Sequence, residues 1–143
     1  MGERMPINII NKHPSARTPS KTLLKALQHI SAQLAVENLE INFLFVSDKI
    51  IHQWNKKYLN HDYVTDVLAF EMKASGILGD IIVSLDTAKR QAKECGHSEA
   101  KEILILCVHG LLHLLGYRDK RKKDFDKMWK KTFELIKKTK FKS

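Results

Sequence analysis

The sequence predicts one α+β domain in which a four-stranded mixed sheet packs against about five helices. Its 143 residues are enough for a single domain with a sizeable core. Four short apolar segments have the composition of strands, and longer segments repeat apolar residues at helical spacing. Because no internal repeat, low-complexity segment or linker divides the chain, residues 1–143 are expected to form one layered domain.

The first half of the chain is predicted to contain two strands and two helices. In the second strand, Ile41, Phe43 and Phe45 alternate with their neighbours and should share one face. In order, the predicted elements are the strand Ile7 to Ile10, a helix with Thr18 as N-cap and Pro19 in its first turn, the strand Leu39 to Val46, and a helix that Ser47 and Asp48 cap and that ends near Lys57.

The second half is predicted to contain two strands and three helices. In order, we expect a polar loop from Tyr58 to Thr65, a strand from Asp66 to Met72, a turn from Lys73 to Ile77, a strand from Gly79 to Ser84, a helix that Ser84 or Asp86 caps and Gly96 ends, a helix that Ser98 caps, and a last helix from about Lys122 to Lys138. The last helix is predicted to bury one stripe, formed by Phe125, Met128, Trp129, Thr132, Phe133 and Ile136.

The helix that follows Ser98 carries two histidines, His109 and His113. They are four residues apart and therefore share one helix face, close enough for both imidazoles to reach one ion. Gly116 offers a left-handed stop that would turn the backbone and bring Asp119 back towards them. Three ligands with a fourth position left for water are typical of a catalytic zinc site. The alternative is a pair of half-buried histidines that are satisfied by hydrogen bonds.

The apolar surroundings of the two histidines favour the metal. The helix is hydrophobic nearly all round and should lie inside the protein, where an unpaired imidazole costs roughly 1–3 kcal/mol. A zinc ion would satisfy both rings and would lower the pKa of a bound water to about 7. In HExxH proteases a glutamate follows the first histidine and acts as the general base. Gly110 stands at that position, so ordinary HExxH proteolysis is disfavoured.

Positive charge is concentrated at the end of the chain. From Lys120 to Ser143 there are 11 Lys or Arg against 3 acids, whereas the rest of the chain is nearly neutral. A basic segment beside the proposed site is typical of proteins that bind a phosphate backbone, so we expect RNA as the partner. A solvated helix face is the alternative, and anionic lipid is a weaker third.

No segment of the sequence predicts a membrane or an oxidising compartment. No apolar run reaches the roughly 18 residues that a transmembrane helix needs, and the N-terminus lacks a signal-peptide core. Cys95 and Cys107 form neither a CxxC pair nor a disulfide framework and are expected to be reduced thiols. His61 and His97 lie in polar stretches and are expected at the surface. We therefore expect a cytoplasmic protein without a membrane partner.

Three segments resemble the YbeY family of metal-dependent endoribonucleases. The family signature HGxLHLxGYDH is similar to HGLLHLLGYRD at His109 to Asp119. The other matches are NKKYLNHDYVTDVLAF at Asn55 to Phe70 and LGDIIVSLDTAKRQAKECGHS at Leu78 to Ser98. The resemblance implies an α+β fold with a zincin-like metal helix, one zinc ion, cleavage of small-subunit ribosomal RNA on pre-ribosomal particles, and a role in ribosome quality control.

The chain departs from the family pattern at three positions. Asp119 stands where the family has its third histidine ligand, and Arg118 replaces the preceding aspartate. Leu59 stands where the family has an arginine that is thought to serve catalysis, and leucine can neither bind a phosphate nor stabilise its charge. We hypothesise that Arg118 takes over part of this role. The alternative for Arg118 is a surface arginine that faces solvent.

Two other functions stand beside an endoribonuclease. The loss of the arginine at Leu59 favours an RNA-binding ribosome-assembly factor whose metal is mainly structural and whose cleavage is weak or absent. A zinc hydrolase of another substrate, such as a peptidase, is the third possibility, and Gly110 counts against it.

Overall fold

The computed structural model describes residues 6–142, which form four strands and five helices around one sheet. In chain order the elements are β1 (Ile7–Asn11), α1 (Ser20–Gln33), β2 (Glu40–Val46), α2 (Asp48–Leu59), β3 (Val67–Ala74), β4 (Ile77–Ser84), α3 (Leu85–Cys95), α4 (Glu99–Leu114) and α5 (Lys122–Thr139). The predicted α+β class, the four strands and the five helices are therefore confirmed.

The sheet is mixed, with the strand order β1-β2-β4-β3. The pairs β1–β2 and β2–β4 are parallel, whereas β3 lies antiparallel to β4 at one edge. Parallel neighbours need a crossover, and α1 supplies the one between β1 and β2. The antiparallel pair needs only the tight turn at residues 75–76.

The two faces of the sheet are covered unequally. On one face, Phe43, Phe45 and Ile81 are fully buried in the main core, which α1, α3, α4 and α5 complete. On the other face, α2 packs Ile51 against Ile82 in a smaller cluster. The helix that carries the two histidines, α4, lies against β3 and β4 and contacts α1, α3 and α5 as well. It is thus the central helix of the domain, as its apolar sequence predicts.

Serine side chains begin three of the helices, as predicted. Ser47, Ser84 and Ser98 each accept a hydrogen bond from a backbone N–H in the first turn of α2, α3 and α4. Gly96 ends α3 in the left-handed conformation. The predicted cap at Thr18 is wrong by one residue, because α1 begins at Ser20 with Pro19 in the cap position.

Two boundaries differ from the prediction for local reasons. Tyr58 and Leu59 belong to α2 and not to the following loop, because the backbone leaves the helix only at Asn60, which is left-handed. The strands β3 and β4 extend further towards each other than predicted, since their pairing continues to Ala74 and Ile77.

The predicted buried stripe of α5 is confirmed only in part. Met128, Thr132, Leu135 and Ile136 are buried, but Phe125 and Phe133 remain 45% and 46% exposed. The apolar residues of α5 occupy a wider arc of the helix than the core covers. Phe125 and Phe133 therefore lie at the edge of the buried face. No helix among residues 6–142 combines the length and apolar character that a membrane span requires.

Candidate metal centre

A close approach between α4 and the sheet positions the two histidines. A Cβ atom at Gly110 would lie 2.5 Å from Cγ2 of Ile81 and 3.3 Å from Cγ2 of Val67. Only glycine therefore allows this helix to lie so close to β3 and β4. Gly110, whose presence disfavours HExxH proteolysis, thus has a packing role, because it allows the helix that carries His109 to lie close to the sheet.

His109 is partly buried, and its ring is held by an aromatic neighbour. The ring of Trp129 in α5 meets it edge to face, with 4.5 Å between the ring centres. Burial lowers the pKa of His109 from 6.5 to about 4, so the imidazole is neutral at pH 7. Its Nε2 atom is shielded from solvent and has no hydrogen-bond partner among the described residues. A neutral ring with a free buried nitrogen is what a metal ligand requires.

His113 lies one turn later, and its two nitrogens have different partners. Nδ1 is 3.1 Å from the carbonyl oxygen of Tyr117, so we assign the N–H to Nδ1, where it can donate to that oxygen. Nε2 is then the unprotonated atom, and it lies 3.4 Å from Oδ2 of Asp119. A histidine whose other nitrogen donates to a backbone carbonyl is the usual arrangement of a zinc ligand.

The turn after α4 brings Asp119 back, as the sequence predicts. Gly116 has a φ of +97°, and its N–H donates to the carbonyl of His113. The N–H of Tyr117 donates to Leu112, which completes the reversal of the chain. The side chain of Asp119 is 49% exposed and reaches His113 from the solvent side.

Asp66 is a further carboxylate of the site. Its charge raises the pKa of His109 and acts on it more strongly than the charge of Asp119, although burial outweighs both. Asp66 is held in place at the start of β3, because its carbonyl accepts from the N–H of Ser84 and its Oδ2 accepts from Nε2 of Gln91. The sequence identifies Asp66 only as the first residue of a predicted strand, because nothing in its local sequence indicates that it lies beside His109.

Arg118 and Leu59 are both exposed. Arg118 lines a surface depression of about 360 Å³ with Tyr117, Asp124 and Lys127, directly beside Asp119 in the chain. It makes no hydrogen bond or ion pair with any other residue in the 6–142 range. Leu59 is the last residue of α2 and is 44% exposed. Arg118 is therefore a free cation next to a candidate ligand, and Leu59 offers an apolar surface only.

A second cluster of metal-binding side chain types lies at the corner between α3 and α4. Cys95, His97 and Glu102 hold their ligand atoms within 4.8 Å of one another, the only such set of three among the described residues. The expectation that His97 is a surface residue is wrong, because its ring is 20% exposed and its Nε2 lies 2.5 Å from the buried Glu102. Glu102 therefore lies in the first turn of α4 and is also paired with the ring of His97.

The side chains of His109, His113 and Asp119 fit a divalent metal ion. Nε2 of His109 is a buried polar atom without a partner, which is a cost that a metal would remove. His113 presents a second nitrogen and Asp119 a carboxylate, and these are ligand types that zinc takes. The three are not all as close together as the Cys95 cluster, so the exposed Asp119 side chain would have to turn further inward.

Comparison with known proteins adds relatives over almost the whole chain. A family model described as Endoribonuclease YbeY matches residues 8–140. Endoribonuclease YbeY of Pelotomaculum thermopropionicum is 40% identical over 124 residues, which are 80% of this chain and 82% of that protein. Endoribonuclease YbeY of Bacillus subtilis is 36% identical over 136 residues, with 82% and 86% covered.

A solved structure has the same fold. The solution structure of TM1509 from Thermotoga maritima aligns with a TM-score of 0.67 and 26% sequence identity. The alignment covers 93% of this chain and 88% of that protein. The arrangement of strands and helices described above is therefore shared with an experimentally determined structure.

Proposed function

The chain belongs to the YbeY family of endoribonucleases, and from that premise we propose that it cleaves ribosomal RNA with one zinc ion held by His109, His113 and Asp119. The family supports an enzyme that hydrolyses RNA in the processing of ribosomal RNA. The finer parts of the proposal are the zinc ion, the three ligands, and action on pre-ribosomal particles in small-subunit maturation and quality control. We expect this work to be done in the cytoplasm.

The observation that carries the proposal is the free Nε2 atom of His109. A buried imidazole nitrogen without a partner is uncommon, and each such group is expected to have a reason. Here the ring is neutral, Trp129 fixes its orientation, and a second imidazole follows on the same helix face. A purely structural histidine pair would instead satisfy both rings with protein hydrogen bonds.

The residues around the site can then be given roles. When bound, zinc supplies a Lewis acid and a water of lowered pKa. The carbonyl of Tyr117 holds His113 in the tautomer that leaves Nε2 free. Asp66, anchored by Gln91, is the carboxylate that can accept a proton beside His109. Arg118 is the exposed cation that can hold a phosphate of the RNA and offset its developing charge.

The second candidate function is an RNA-binding assembly factor with a mainly structural metal. Leu59 favours it, because the family's arginine is lost at the exposed end of α2. The same histidines and the same basic α5 would serve this function equally well. The two candidates differ in whether RNA is cut.

A precursor ribosomal RNA assay with and without a chelator separates them. The enzyme predicts cleavage that stops on chelation and returns with added zinc, and that is lost in His113→Ala. Intact RNA that still binds, with an affinity that falls steeply with salt, supports the assembly factor. Cleavage that persists fully after the metal is removed would contradict the zinc mechanism.

A further inference from the structure

Three aromatic side chains form a row along α5. Phe125, Trp129 and Phe133 are spaced four residues apart and so lie one above the other on the same helix face. The rings of Trp129 and Phe133 stack with 5.3 Å between centres, and Phe125 tilts onto Trp129 at 6.0 Å. We call these three residues the aromatic row. It spans about 12 Å along the helix axis.

The two outer members of the aromatic row, Phe125 and Phe133, lie outside the core, whereas Trp129 is half-buried and packs against it. Phe125 and Phe133 expose 45% and 46% of their surface, while the helix uses Met128, Leu135 and Ile136 to pack on the domain. Two exposed phenylalanines on one helix face are a contiguous apolar surface, which soluble proteins keep mostly at binding sites. The aromatic row is therefore suited to bind a ligand that has flat apolar faces.

The row is continuous with the candidate metal centre. Trp129, its middle member, contacts the ring of His109 with 4.5 Å between ring centres. A ligand that stacks on Phe125 and Phe133 would thus pass directly over the residue that supports the first histidine.

Lysines border the row. Lys122 lies three residues before Phe125 and Lys137 four residues after Phe133, so both extend the same helix face. Lys137 and Lys101 of α4 line a depression of about 430 Å³ beside Phe133. The helix has seven lysines against three acids, and Asp126 is the acid nearest the row. None of these bordering lysines has an ion-pair partner within residues 6–142.

We infer that the aromatic row binds a single-stranded segment of RNA and leads it to the metal centre. Aromatic side chains that stack on bases, combined with a positively charged border that follows the backbone, are the recurrent design of single-strand binding surfaces. A duplex would not fit, because its bases are already stacked and only its phosphates and grooves are accessible. The binding surface stands by itself, and only its end point at the metal centre rests on the proposed function.

Anionic lipid is the other ligand that a basic helix can bind. A helix that lies on a membrane inserts its main apolar face. In α5 that face is occupied, because Met128, Leu135 and Ile136 are buried against the domain. The exposed apolar surface is instead a narrow row of rings, which suits bases.

The test compares the double variant Phe125→Ala/Phe133→Ala with the wild-type enzyme loaded with zinc. The probe is an oligouridylate of about 12 nucleotides, whose integrity is checked after each titration. We expect binding to weaken about 10- to 100-fold, the loss of stacking for one or two bases, with an unchanged dependence on salt. A duplex of the same length should bind the two proteins equally. Ile10→Ala, an exposed apolar residue of β1, is the matched control and should bind as wild type.

Tryptophan fluorescence gives a second measurement that requires no loss of binding. The chain has two tryptophans, and Trp54→Phe leaves Trp129 as the only one. Quenching of Trp129 by the oligouridylate supports the inference. An unquenched Trp129 under saturating RNA, or equal binding by the double variant and wild type, would overturn it. Preferential binding to anionic vesicles over RNA that is lost in the double variant would also overturn it.

Failure of the proposed function gives a different result. If the wild type binds the oligouridylate through the row but cleaves no RNA with any zinc supply, the endoribonuclease proposal fails and the binding surface is upheld. If cleavage needs zinc but the double variant binds RNA as wild type does, only the aromatic row is refuted.

Discussion

Nε2 of His113 lies 3.4 Å from Oδ2 of Asp119, across the turn that follows α4. The pairing depends on the left-handed Gly116 and on the carbonyl of Tyr117, which orients the other nitrogen of the same ring. The residue that replaces the family's third histidine is therefore beside the second one. Its replacement gives the most direct test of the ligand set.

We expect Asp119→Ala to weaken zinc binding by more than about 100-fold. The loss of a residue that only hydrogen-bonds to a metal ligand already weakens metal binding by up to about 100-fold, and the loss of a ligand itself should weaken it further. The reason is that one of three protein ligands is removed. Metal content after dialysis and a competition titration with a chelator measure the effect. Cys95→Ser is the matched control, because it alters the other cluster of potential ligands, and it should retain one zinc per chain. Loss of zinc in Cys95→Ser with retention in Asp119→Ala would place the metal at the α3–α4 corner.

Gly110→Ala is expected to destabilise the domain and to disturb the site. The new Cβ would lie 2.5 Å from Cγ2 of Ile81, a branched and fully buried side chain that cannot turn away. Overpacking of this kind costs about 1–3 kcal/mol, which lowers the melting temperature by roughly 2–4 °C per kcal/mol. Thermal unfolding of the variant measures it.

The double variant Gly110→Ala/Ile81→Ala is the control for this contact. If the clash is the cause, the two changes together cost less than the sum of the single changes, because each relieves the other. Strict additivity would show that Gly110 acts in another way.

The α4 region was predictable because its signals are local. Ser98 as a cap, an apolar helix and Gly116 as a stop lie within twenty residues, and each has a short-range physical meaning. The sheet order was not accessible in the same way. The sequence of β4 does not indicate that this strand pairs with β2 on one side and with β3 on the other. The strand order depends on contacts between residues that are far apart in the chain.

The error in the buried stripe of α5 comes from the width of the core. Phe125 and Phe133 share the helical spacing of buried residues, so periodicity alone includes them in the core. The domain covers only the arc that contains Met128 and Leu135, which sequence spacing cannot indicate. His97 is the opposite error, since its polar surroundings in sequence do not reveal that Glu102 folds back to meet it.

The surroundings of the Asp48 carboxyl lead us to expect that the folded protein loses stability in acid. Burial alone would raise the pKa of this carboxyl, but hydrogen bonds from Ser84, Thr87 and Arg90 hold its pKa below the usual 3.8. The stabilisation is therefore present above the unfolded value of 3.8 and is lost as the pH falls through the lower folded pKa. In Asp48→Asn we expect about 1–3 kcal/mol less stability at neutral pH and a flatter acid limb.

Urea unfolding at several pH values between about 3 and 7 measures this dependence. Glu37→Gln, an exposed carboxyl without these hydrogen bonds, is the control and should follow the wild type. An acid limb in Asp48→Asn as steep as that of wild type would assign the effect to other groups.

Arg118 and Leu59 together test how this chain replaces the family's arginine. If Arg118 holds a phosphate of the RNA, Arg118→Ala should lower kcat/KM for RNA cleavage by about 100- to 1000-fold, the range for removing one transition-state donor. Its side chain is exposed, so the fold and zinc content should not change. Leu59→Arg, at a position that is also exposed, should recover part of the loss in the Arg118→Ala background. Zinc content measured on the same samples separates a catalytic effect from loss of the site. If Arg118→Ala cleaves as fast as wild type while Leu59→Arg still accelerates cleavage, Arg118 is a surface arginine and the end of α2 is where the RNA phosphate lies.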